Sequence, residues 1–130
     1  MSPDLSGAER WLALARADLA VARSVDREDE LQRGLACFHC QQAAEKSLKA
    51  VLVHAGVAFP WTHNLTQLVA LVESTTERSA PDEVRAARML SDYATAMRYP
   101  DAIGVATSAA LDEALALAAG VVAWAASVTP

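Results

Sequence analysis

From Cys37 to His54 the chain runs without a proline or a glycine, and its Ala, Leu, Lys, Gln and Glu are strong helix formers. A run of that kind has one good local structure, an α-helix, predicted here over about Leu31 to Ala55. Gly56 is placed to end it as the left-handed residue after the C-cap. The same stretch holds both lysines of the chain (Lys46, Lys49), both cysteines (Cys37, Cys40) and two of its three histidines (His39, His54). It reads as the helix around which the others pack.

On a helical wheel His39, Gln42, Lys46, Lys49 and Val53 follow one another along one side. Gln41, Glu45, Leu48 and Leu52 make a half-apolar stripe beside them. Ala36, Ala43, Ser47 and Ala50 make a third stripe, small enough to let another helix approach closely. A surface helix normally separates one apolar stripe from one charged face. Amides, lysines and a histidine flanked by apolar residues instead need partners, inside the fold or in a ligand.

The remaining segments punctuate as helices. Ser6 with Glu9 is a capping-box pattern before a helix over about Ala8–Val25, burying Trp11, Leu12, Ala15, Leu19 and Ala22. The charged run Asp26–Glu30 reads as a solvated corner. Val57 to His63 is a rigid connector containing Pro60, and Thr62 or Asn64 can cap a short third helix, Leu65 to about Glu73. Pro81, Asp82 and Glu83 start a fourth helix that should run to about Arg98, because Pro100 disfavours helix at Tyr99. Thr107 or Ser108 caps a last one to about Ser127, with Leu111, Leu115, Ala118, Val122 and Ala125 along one stripe.

A chain of 130 residues suits one domain, and 53% apolar with 21% charged residues suits a globular one. Aromatics at 5% and abundant alanine favour packed helices over a β-sandwich. The expected architecture is therefore all-α, a five-helix up-and-down antiparallel bundle over residues 1–130. A formal charge of −5 argues against non-specific nucleic-acid binding through the overall field. No apolar signal region precedes the first helix, and the uncharged run Ala114–Val128 is short and alanine-rich for a bilayer. The expectation is a cytoplasmic protein with reduced thiols and no membrane association.

Cys37-Phe-His-Cys40 is formally a C-x-x-C, yet it lies inside a helix and no second pair exists to complete a zinc site. Buried, inert thiols are expected, with no metal and no cofactor. A histidine at a helix start, as His63, is more often a packing or capping residue than a catalyst. Arg98, near the end of the fourth helix, suits the helix dipole; its functional reading is a phosphate or carboxylate clamp, with Lys46 or Lys49 across a groove.

Phe38-His-Cys-Gln-Gln-Ala-Ala-Glu-Lys-Ser-Leu-Lys-Ala50, then Thr62-His63-Asn64-Leu65, then Tyr93 with Arg98-Tyr99-Pro100, resemble in order the three motifs of the HEPN (higher eukaryotes and prokaryotes nucleotide-binding) domain family. The resemblance runs from Trp11 to the last helix. It implies a five-helix bundle that commonly forms homodimers, and a frequent partner, a minimal nucleotidyltransferase, in toxin–antitoxin-like pairs. It also implies, for many members, a metal-independent ribonuclease with an Arg-x4–6-His motif. Here no histidine follows Arg98. Arg33 and His39 fit the spacing, but in the wrong helix and about a third of a turn apart.

Three functions follow. One is a binding module whose seam of Gln42, Lys46, Lys49, His63, Tyr93 and Arg98 holds a nucleotide, an RNA phosphate or a partner's acidic surface. Another is a divergent ribonuclease toxin using His39, His63 or Arg98. In the third, Gln41, Gln42, Glu45 and Lys46 bond one another and Arg98, fixing helix register and dimer geometry.

Overall fold

The structure, a computed structural model, describes residues 7–76, 79–96 and 106–130. Helices α1 (Ala8–Ser24) and α2 (Glu30–His54) form a hairpin, followed by α3 (Leu65–Thr75). Next come α4 (Asp82–Ala86), a 3-10 turn (Ala87–Leu90) and α5 (Ser91–Ala96), and then α6 (Ser108–Val128). No strand occurs among the described residues. The fold is an all-α helical bundle.

The ends of α2 explain its length. Asp29 accepts from the backbone N–H of Leu31 and Gln32 at 2.9 and 3.2 Å, so the charged run before it supplies the N-cap. At the other end Gly56 adopts φ 73°. Val57 N–H then reaches Leu52 O at 2.9 Å and Gly56 N–H reaches Val53 O at 3.0 Å, the paired bonds of a Schellman ending. For α1 the N-cap position falls on Gly7, which offers no side-chain acceptor; Ser6 lies outside the described residues.

Between its ends α2 packs most extensively on α1 and α6. Ala36, Ala43, Ser47 and Ala50 are fully enclosed, as close helix approach requires. Contact on several sides leaves Gln41, Glu45 and Lys49 inside the protein as well. On α1 the buried stripe is Leu12, Ala15, Asp18, Leu19 and Ala22, while Trp11 is only partly covered.

The expected fourth helix is interrupted. Val84, Ala87 and Leu90, spaced by three, are all buried, and a 3-10 turn places residues i and i+3 on one side where an α-helix would rotate them apart. Ser91 Oγ then accepts from Leu65 N–H at 3.0 Å, tying α5 to the start of α3. Arg98 and Tyr99, at its predicted end, lie outside the described residues.

Helix α6 is capped by Thr107, whose hydroxyl accepts from Ala110 N–H at 3.0 Å. It starts beside the α1–α2 turn, where Arg27 and Arg33 reach Ser108 and Ala106, so it runs antiparallel to α1. At 21 residues with mean hydropathy 1.5 it is long and apolar enough to cross a membrane, unlike the shorter run predicted. A third of that apolar stretch is buried, and Leu111, Ala114, Ala118, Val121, Val122 and Ala125 are the helix's buried residues.

Candidate functional site

His39, Gln41, Gln42, Glu45, Lys46 and Lys49 of α2 all find partners, and these sort into two clusters, each centred on a carboxylate. In the first, α1 supplies Asp18. Its Oδ2 accepts from Lys46 Nζ at 2.6 Å and its Oδ1 lies 2.9 Å from His39 Nδ1. This cluster sits at the α1–α2 contact with its rim in water.

In the second, α2 supplies the carboxylate itself. Glu45 Oε2 accepts from Lys49 Nζ at 3.0 Å, one helical turn on, and both side chains are 4% exposed. Glu45 Oε1 lies 2.7 Å from His63 Nδ1 and accepts from Gln41 Nε2 at 3.1 Å. Gln41 also donates to His63 O at 3.1 Å and accepts from Gln42 Nε2 at 2.7 Å, so the network clips the connector onto α2. Gln41 and Glu45 share one stripe of α2, and His63 arrives from the connector that returns past them.

The connector also brings Phe59 and Trp61 over Lys49. The ammonium lies 5.6, 5.5 and 5.8 Å from the ring centroids of Trp11, Phe59 and Trp61. Trp11 and Phe59 meet edge to face, 5.9 Å apart at 75°. Trp11, Lys49, Phe59, Pro60 and Trp61 enclose an open recess of about 170 Å³. Trp61, on its outer rim, is 97% exposed.

The opposite side of α2 carries the thiols. Cys37 and Cys40 are reduced and buried. Burial pushes both thiols up, Cys40 to about 12, so they stay protonated and unreactive. Tyr93 lies beside Cys37, and burial raises its hydroxyl too. Among the described residues no three His, Cys, Asp or Glu side chains gather as a metal site.

The predicted seam is thus divided. Lys46 and Lys49 do face inward, but toward Asp18, Glu45 and the aromatic rings. Tyr93 lies at Cys37, half a turn of α2 away from Lys46, so these two do not face one another. Arg98 lies outside the described residues. Arg33 donates to Arg27 O and Ala106 O, both at 2.7 Å, and closes loops with the guanidinium a nuclease would need. Sequence reasoning missed Asp18, although it falls on the stripe of Ala15 and Ala22, an acid in an apolar row. It also passed over the rings of Trp11, Phe59 and Trp61 as core and connector.

Chemically, His39 and His63 each have Nδ1 on a carboxylate. If Nδ1 carries the proton, Nε2 holds the lone pair of a base. Each carboxylate is matched by one lysine, so with neutral imidazoles neither cluster carries net charge.

The family model for the HEPN domain matches residues 8–128. The crystal structure of TT1696 from Thermus thermophilus is similar, with 33% identity and a TM-score of 0.74 over 93% of this chain and 97% of that one. No curated protein matches the chain.

Proposed function

The chain belongs to the HEPN domain family, and on that premise we propose that it is a protein-binding module, the partner of a minimal nucleotidyltransferase in a toxin–antitoxin-like pair. In this reading it is a cytoplasmic single domain that works as a homodimer. The observation that carries it is the pairing of both α2 lysines with internal carboxylates, Lys46 with Asp18 and Lys49 with Glu45. Cations matched in this way fix helix register and offer a phosphate no net field. The same pairing weakens the nucleotide and RNA readings of the seam.

The test is co-expression with the nucleotidyltransferase of an adjacent reading frame, followed by size-exclusion chromatography with light scattering. A complex of the two chains supports the reading; separate elution of the two overturns it. A ribonuclease reading draws on one observation, the orientation of His39 by Asp18 at 2.9 Å. Growth arrest on induction that His39→Ala abolishes would establish that alternative.

A further inference from the structure

We infer that the recess formed by Trp11, Lys49, Phe59, Pro60 and Trp61 is a binding site for an uncharged ring side chain, proline or aromatic, presented by a partner polypeptide. The inference rests on the protein-binding reading and names its contact point.

Size limits the occupant first. Pockets that enclose whole small ligands run from about 300 Å³ upward, and a recess of about 170 Å³ admits a single ring. Charge limits it next. The ammonium at the floor is held by Glu45 at 3.0 Å, so the recess presents a paired cation, not a free one, in a chain of net charge −5. A phosphate-bearing ligand gains no field there, and a cation would meet Lys49. An uncharged ring meets three aromatic surfaces, and a backbone carbonyl beside it can take a donor that Lys49 does not direct to Glu45. Aromatic-lined grooves with donors nearby are how proline-rich and aromatic segments are read.

Exposure supplies the remaining argument. Trp61 presents nearly its whole side chain to water beside two other rings and a buried lysine. Tryptophan is a side chain on which protein interfaces concentrate their affinity. Covering Trp61 needs a partner that also fills the recess beneath it.

The experiment is an NMR titration of the full chain, following the Trp11 and Trp61 indole N–H signals. The probes are N-acetylproline amide, N-acetylphenylalanine amide and adenosine monophosphate. At least one capped amide should shift both signals saturably. Trp61→Ala, a surface change whose fold circular dichroism verifies, should weaken that binding about tenfold or more, read at Trp11. Lys46→Ala, in the other cluster, should leave it unchanged. Failure of both amides to saturate overturns the inference. So does saturation by the nucleotide alone, or an equal loss on Lys46→Ala. If the nucleotidyltransferase binds Trp61→Ala as tightly as the unaltered chain, the recess is refuted while the paired module stands.

Discussion

The Asp18 cluster and the Glu45 cluster are built alike, each a carboxylate between a histidine and a lysine, and they differ in depth. Asp18 and Lys46 keep 12% and 21% of their side chains in water, whereas Glu45 and Lys49 keep 4% each. Asp18 joins two helices; Glu45 joins one helix to its own next turn and to the connector. The contrast separates two uses of an ion pair. Near the surface a lost partner is replaced by water, while in the interior a lost partner leaves a charge with nowhere to turn.

The largest effect should follow from removing Glu45. Glu45→Ala strands the Lys49 ammonium among rings and takes an acceptor from Gln41 and His63. The expected loss is about 3–5 kcal/mol in urea unfolding. The double replacement Glu45→Gln with Lys49→Met removes both charges together and should cost less than either single change. A double variant as damaged as the sum of its singles would refute the idea that the unpaired charge dominates.

Burial of a thiol gives a second, smaller effect. Cys40 holds its proton to about 12 in the folded chain, against an ordinary thiol value of 9.0. Between those values the native state binds a proton that the unfolded chain has released, so stability falls as pH rises. The expected slope from this thiol is about one proton, or tenfold in the folding constant per pH unit. Cys40→Ala should flatten that alkaline limb; an unchanged limb would assign it to other groups. Below pH 9 the same burial predicts that a thiol reagent labels the chain only at its rate of opening.

Asp18→Ala should come third, at about 1–2 kcal/mol by urea unfolding. Its two partners, Lys46 and His39, are partly exposed and can turn to solvent. A loss equal to that of Glu45→Ala would erase the distinction by depth.

How much of this could be read beforehand depends on whether a signal was local. The bounds of α2, its glycine ending and the cap of α3 at Asn64 are written in neighbouring residues. So is the Gln41–Glu45 stripe. The partners of Lys46 and Lys49 are not. The wheel gives their direction, but whether α1 or α5 occupies that direction is decided by packing, and the sequence reading favoured Tyr93 where Asp18 stands. The break at Ala87–Leu90 hides for a related reason. Val84, Ala87 and Leu90 would drift by only about 60° per step in an α-helix, so the local sequence does not mark the turn, and the bond from Leu65 N–H to Ser91 comes from a distant helix. The aromatic recess escaped because its rings come from α1 and a connector that meet only in the fold.

The smallest effect extends the depth scale to the surface. Arg27 pairs with Asp112 across the start of α6, with side chains 39% and 70% exposed. Both ions remain well hydrated, so Arg27→Ala should cost less than about 1 kcal/mol. Salt distinguishes the regimes further, since at about 1 M the Debye length falls to about 3 Å and screens exposed pairs. The Arg27→Ala difference should then shrink toward zero, while the Glu45→Ala difference, sealed from ions, should persist. Were Arg27→Ala the costlier change, its hold on Ser108 at the head of α6 would outweigh depth, and the ordering of the two clusters would need another cause.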